Sequence, residues 1–231
     1  MGKALIIKDA DFSINGIPAE FTRLSWIGGS TQNNQYINSG LFWGNKVDDL
    51  DDGIEFKFKL DGTSVTSDPV NFFSIGANIN SNTYLCAWFR ADATTIRFGN
   101  TSLTLSGIML FDNNWHTLLI NKYGCILDDV EYNFTTPPTP YEGDNPSSVY
   151  GDIPVYLDCA SRRGSNNEKN YYIEGESSAM KIAWVKYYRE ESVILDAIPV
   201  KRRADNAICF YERVSGTYLL RNDGSTPAYE L

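Results

Sequence analysis

Acid–base chemistry in this chain is bounded by one histidine, His116, set against 29 Asp and Glu residues. A Ser-His-Asp relay would have to run through His116. That residue stands beside Trp115 at the start of an apolar run, where a packed or turn-bonded imidazole is the plainer expectation. Paired carboxylates are the other route to acid–base work, and they need two acids aimed at one point. The nearest cluster is Asp128, Asp129 and Glu131. Alternation puts Asp129 and Glu131 on one face with no third acid, so a solvated hairpin turn is expected there. Glu55 stands among Lys57 and Lys59.

Metal chemistry is equally restricted. One histidine removes the usual zinc sets, and Cys86, Cys125, Cys159 and Cys209 form no Cys-x-x-Cys pair. Each cysteine lies in an apolar run and is expected to be a buried free thiol. Asp48, Asp49, Asp51 and Asp52 have the oxygen density that calcium favours, without the spacing or terminal Glu of an EF-hand loop. An acidic loop ahead of a strand is the first expectation; a calcium or basic-partner contact is the functional alternative. No other cofactor is expected. Trp43, Tyr141, Tyr150, Tyr171 and Tyr172 fall in stretches that read as loops. Their rings could stack on the apolar face of a sugar, meet a sister subunit, or pack at the edge of the core. Asn-rich stretches at 78–82 and 166–167 could donate hydrogen bonds or simply turn the chain.

The formal net charge is −9 and the sequence pI is about 4.6, which argues against nucleic acid as a partner. The basic cluster Lys201, Arg202 and Arg203 reads as a solvated turn after Pro199. No apolar run is long enough to span a membrane, and residues 1–8 carry too short an apolar stretch for a signal-peptide core. The expectation is synthesis without export.

The elements that must position these residues are short strands. In 54–60, Ile54, Phe56, Phe58 and Leu60 share one face, while Glu55, Lys57 and Lys59 share the other, so one face is buried and one wet. Residues 3–14 alternate as a strand before the turn signal at Asn15 and Gly16. Runs at 72–76, 84–90, 95–99, 103–105, 125–127 and 155–159 are further strands, 113–122 is a turn feeding a strand, and 28–40 and 162–170 are loops. Four prolines mark 135–152 as a long insertion. Three apolar runs at 181–188, 193–203 and 207–220 close the chain. No amphipathic helix is expected. A chain of 231 residues with this rhythm reads as an all-β antiparallel sandwich built on one core.

The order of these pieces carries a resemblance. The segment 35–40, the strand 54–58, the Trp115-His116 turn within 112–118, and the closing segments 181–185, 198–203 and 210–217 together resemble a concanavalin A-like, laminin-G-type jelly roll. More narrowly, they resemble the version found in virion proteins of tailed phages of gut Bacteroidetes. The likeness covers roughly 35–225, and 4–13 resembles openings of such virion proteins. It implies a two-sheet antiparallel jelly-roll sandwich over 31–231, with 1–30 as an N-terminal strand and attachment segment. It further implies a non-enzymatic virion protein: a capsid decoration, head fibre or tail-associated part. Such a protein would contact other virion proteins and a host surface glycan, without membrane or nucleic acid, as a homo-oligomer such as a trimer. Glycoside hydrolases of this fold carry Glu-x-Asp-x-x-Glu along one strand, and this chain has no such string. The laminin-G hairpin commonly holds Asp-Gly where this chain has Asp128 and Asp129, which removes support for calcium there. A carbohydrate-binding module is the alternative expectation, and a hydrolase the third.

Overall fold

Ile54, Phe56, Phe58 and Leu60 are fully buried, while Glu55, Lys57 and Lys59 between them are half-buried on the opposite face, so the alternation in the sequence becomes strand β4 (Gly53–Leu60). The computed structural model describes residues 16–28, 37–42, 53–60, 70–75, 85–89, 93–98, 101–108, 110–121, 123–136, 154–157, 160–163, 171–174, 180–189, 192–221 and 224–231. Every strand pairing among these residues is antiparallel.

The larger sheet is centred on β4 and on β15 (Met180–Arg189) and β16 (Ser192–Arg202). On one side of β4 lie β9 (Trp115–Asn121), β10 (Gly124–Leu127) and β11 (Val130–Asn133). Beyond β16 lie β17 (Ile208–Glu212) and β18 (Thr217–Leu219). Three short strands complete it: β1 (Phe21–Arg23) on β16, β2 (Trp26–Gly28) on β15, and β19 (Tyr229–Glu230) on β2. The smaller sheet runs in the order β3 (Ile37–Phe42), β12 (Pro154–Leu157), β5 (Val70–Ile75), β6 (Leu85–Phe89), β7 (Ala93–Phe98) and β8 (Thr101–Ser106). A separate hairpin joins β13 (Ala160–Arg163) to β14 (Tyr171–Glu174).

The main core lies between the sheets. Ile54, Phe56, Phe58, Leu118, Ile120, Val185, Tyr187 and Phe210 from the larger sheet pack with Ile37 of β3 and Leu105 of β8. A second, smaller cluster sits on the other face of the larger sheet: Phe21, Ile198, Val200, Cys209 and Tyr211, with Ile17 and Trp184 against it. The Phe21 and Tyr211 rings lie 5.0 Å apart there. The all-β antiparallel sandwich expected from the sequence is therefore what forms.

Pro199 sits inside a central strand, where a missing N–H is normally excluded. Its position resolves the conflict. Up to Ala197, β16 pairs with β15, and from Val200 onward it pairs with β1. The proline falls at the handover, and its carbonyl accepts the Leu24 N–H at 3.0 Å. Gly124 is required for a different reason: at φ +152°, a Cβ there would lie 1.9 Å from the Tyr132 carbonyl oxygen.

Several local expectations are corrected. Residues 37–40 belong to β3 and not to a loop, since Ile37 and Asn38 pair with Leu157 and Tyr156 of β12. Residues 162 and 163 complete β13, and Tyr171 and Tyr172 lie on β14 rather than in a loop, because the two segments pair with each other. Lys201 and Arg202 end β16 and do not form a turn. The runs from 181 onward occupy the middle of the larger sheet as well as closing it, since β15 has β4 and β16 as neighbours. Residues 21–28 contribute two short strands to the larger sheet. The expected strand at 3–14 lies outside the described residues.

Candidate functional site

His116 enters β9 facing inward, 9 % exposed, with its ring 5.8 Å from that of Phe58. Its Nδ1 lies 2.6 Å from Asp128 Oδ2 and its Nε2 lies 3.0 Å from Asp112 Oδ1. A neutral imidazole has one N–H and one lone pair, so it would turn that lone pair on a carboxylate. The charged form donates to both. Burial alone would lower the His116 pKa, but the hydrogen bonds to Asp128 and Asp112 outweigh it and raise the value above 6.5. For Asp112, burial opposes the shift, and bonds from His116 and Asn114 bring the carboxyl from 3.8 down to about 2.

The turn at Asp128 and Asp129 makes this pairing possible. Both residues take positive φ, 47° and 65°, which Asp tolerates better than most residues. Asp128 also accepts the Thr117 N–H at 2.8 Å and returns its own N–H to the Thr117 carbonyl at 3.0 Å. His116 is thus a clamp joining the turn before β9 to the turn after β10. Its contribution to stability is complete below pH 6.5 and is lost as pH rises through the raised value. The Asp112 contribution is complete above pH 3.8 and is lost as pH falls through about 2. The stability difference between wild type and His116→Gln, read as thermal midpoints, is therefore expected to be greatest between those limits and to shrink above them. A difference that grew as pH rose above 6.5 would rule the charged clamp out.

A second polar network crosses β16 and β17. Asp196 is 1 % exposed and receives Arg213 Nη2 at 2.6 Å. Glu212, 4 % exposed, accepts the N–H groups of Asp196, Val214 and Ser215 at 2.9, 2.8 and 2.6 Å. Arg23 reaches the Ala183 carbonyl at 3.4 Å. Its burial, followed by the neighbouring Arg213 charge, lowers its pKa to about 10 against the pull of Asp196. Burial pushes the Cys125 thiol to about 12 and the Cys209 thiol to about 11, so both free thiols are poor nucleophiles.

The outer face of β9, β4 and β15 has a different character. Register places Trp115, Lys59 and Lys181 in one cross-strand row, then Thr117, Lys57 and Trp184 in the next. A third row runs through Leu119, Glu55, Lys186 and Asp196. A bulge between Ile182 and Trp184 keeps this face in step, absorbing Ala183. Lys181 Nζ lies 4.7 Å from the centre of the Trp26 ring, and Lys186 Nζ lies 4.8 Å from that of Trp184. Glu55 accepts the Tyr188 hydroxyl. Trp115, at the end of the first row, is 39 % exposed.

The residues selected from sequence are distributed otherwise. Trp43, Asp48, Asp49, Asp51, Asp52, Tyr141 and Tyr150 lie outside the described residues. Tyr171 and Tyr172 are placed on β14 opposite Arg163 and Arg162. Arg202 of the basic cluster is held by Asp205 and stacks on Tyr218, 4.3 Å from the ring centre. Among the described residues, no three His, Cys, Asp or Glu side chains gather in a way that could hold a metal ion. Sequence reasoning identified Lys57 and Lys59 as a wet face but not their union with Lys181, Lys186 and three tryptophans. The alternation in 180–189 carried part of that signal.

No protein-family profile matches the chain, and no curated protein matches it. Among solved structures it is similar to Rv0315 of Mycobacterium tuberculosis, described as an immunostimulatory antigen and pseudo beta-1,3-glucanase. The match is 15 % identical, covers 61 % of this chain and 65 % of that one, and has a TM-score of 0.34. The chain thus spans a little under two thirds of that protein, and a likeness of this size assigns no residue a role.

Proposed function

We propose that this chain is a non-catalytic contact module: a virion structural protein of a tailed phage, in a capsid-decoration, head-fibre or tail-associated position. The observation that carries the non-catalytic part is the use made of the sole histidine. His116 is held by two carboxylates and has no ring nitrogen left to exchange a proton with a substrate. Both carboxylate oxygens of Glu212 are likewise engaged by backbone N–H groups, and Asp196 Oδ2 is held by Arg213. The virion part is supported by the order of sequence motifs, and oligomerisation follows from the repetition of such proteins on a particle. Mass spectrometry of purified particles from a prophage-induced culture tests it. The chain is expected among the virion proteins, and its absence from particles would remove the virion reading.

A carbohydrate-binding role is the second reading, favoured by the lysine and tryptophan rows on the outer face of the larger sheet. It is compatible with display on a particle, where a contact module could meet a host surface glycan.

A further inference from the structure

We propose that the outer face of β9, β4 and β15 binds an acidic polysaccharide, one whose sugars carry carboxylate or sulfate groups. The proposal rests on reading the chain as a contact module and adds the ligand class for one face.

The first observation is the charge. The chain holds 20 Lys and Arg against 29 Asp and Glu, yet the outer face of β4, β9 and β15 carries Lys57, Lys59, Lys181 and Lys186 against the single acid Glu55 of these strands. Positive charge is thus gathered on this face of a chain whose net charge is negative, and a polyanion would be drawn to it. The neighbouring Asp196 is taken by Arg213, and the arginines beside it are turned to the Ala183 carbonyl and to Asp196. The cations of the rows are lysines, compact point charges rather than planar forks. That favours scattered carboxylates or sulfates over the bidentate phosphate recognition typical of arginine-rich nucleic-acid sites.

The second observation is geometric. Neighbouring strands lie about 4.8 Å apart, and alternate residues along one strand about 7 Å apart. Trp115, Lys59 and Lys181 therefore form one cross-strand row over three adjacent strands, with the Trp26 ring under the Lys181 ammonium. An extended sugar chain laid along this line would meet an exposed indole first and two ammonium groups next. The apolar face of a pyranose ring suits Trp115, and its anionic substituents suit Lys59 and Lys181. The contacts of Lys181 and Lys186 with tryptophan rings restrict their ammonium positions before binding, which lowers the ordering cost.

The test uses the full chain and immobilised polygalacturonate, dextran sulfate, neutral dextran, polyglutamate and a thymidine oligonucleotide. Retention on polygalacturonate or dextran sulfate, weakened by salt and absent on neutral dextran, is expected; the two polymers distinguish carboxylate from sulfate. The pair Lys59→Gln and Lys181→Gln together should weaken binding about tenfold, and Trp115→Ala about fivefold at unchanged charge. A Lys59→Arg and Lys181→Arg protein serves as the folded control that retains binding. The proposal is overturned by no retention on either acidic glycan, by wild-type binding in the Gln variant, or by equal retention on neutral dextran. Equal retention on polyglutamate or the oligonucleotide with no effect of Trp115→Ala would also overturn it, marking the face as a general anion surface. None of these outcomes depends on whether the chain is found in virions.

Discussion

Replacing Phe58 with alanine is expected to destabilise the sandwich by about 3–5 kcal/mol, the usual range for removing a buried phenylalanine from a core. Phe58 is fully buried, and its strand is flanked on both sides: it stands opposite His116 of β9 and Ile182 of β15. Truncation removes the ring's transfer free energy and leaves a cavity. Paired strands on both sides prevent β4 from shifting to fill it, so the upper part of the range applies. The loss also reaches the clamp, because the His116 ring packs 5.8 Å from that of Phe58. At this chain length each kcal/mol lowers the thermal midpoint by about 2–4 °C, so a fall of about 10 °C or more is expected. Urea unfolding of the variant gives the direct measurement, with Lys57→Ala on the opposite face expected to fall within about 0.5 kcal/mol of wild type. Equal effects at the two positions would contradict the assignment of inner and outer faces.

Glu212→Ala is expected to cost about as much, for a polar reason. The Glu212 carboxylate receives three backbone N–H groups, from Asp196, Val214 and Ser215, at the turn that leads from β17 to β18. Burial alone would raise the pKa of this carboxyl; the hydrogen bonds from Ser215, Asp196 and Val214 outweigh it and hold the value below 4.5. Each buried donor left without an acceptor costs about 1–3 kcal/mol, and water reaching the turn recovers part of that, so a net loss of about 3–5 kcal/mol is expected. Glu212→Gln keeps an acceptor oxygen and should recover part of the loss. The sign of the pH dependence follows from the lowered pKa. The wild-type advantage over Glu212→Gln is present above the ordinary carboxylate range and disappears as pH falls through the folded-state value. Urea titrations of both variants between about pH 3 and pH 7 measure it, and an advantage that grew toward acid would refute the assignment.

The legibility of the chain differs from residue to residue. The buried face of 54–60 was plain because alternation is a local property of a pleated strand. The turn at Asp128 and Asp129 was legible as a hairpin, but its bond to His116 was not. Two residues twelve positions apart meet only when the hairpin register sets Leu127 opposite Leu118 and brings Asp128 beside Thr117. Once that register is assumed, the pairing could have been deduced. The short strands at Phe21–Arg23 and Trp26–Gly28 had no strong pattern of their own; they are strands because β16 and β15 supply their partners. Tyr171 and Tyr172 were misplaced for the same reason, since the order at β14 comes from β13.

What the amino-acid order determined by itself was the class of structure. Periodicity of two, turn residues and apolar runs too short for helices demand antiparallel strands, and each of these signals acts within a few residues. What the tertiary structure decided was which strands are neighbours. Lys59 and Lys181 are 122 positions apart in the chain and directly opposite in the sheet. No local interaction brings them together. Their row exists because β4 and β15 must pair in the one register that buries Phe56, Phe58, Ile182 and Val185 on the inner face, and a pleated strand that buries one face necessarily presents the other.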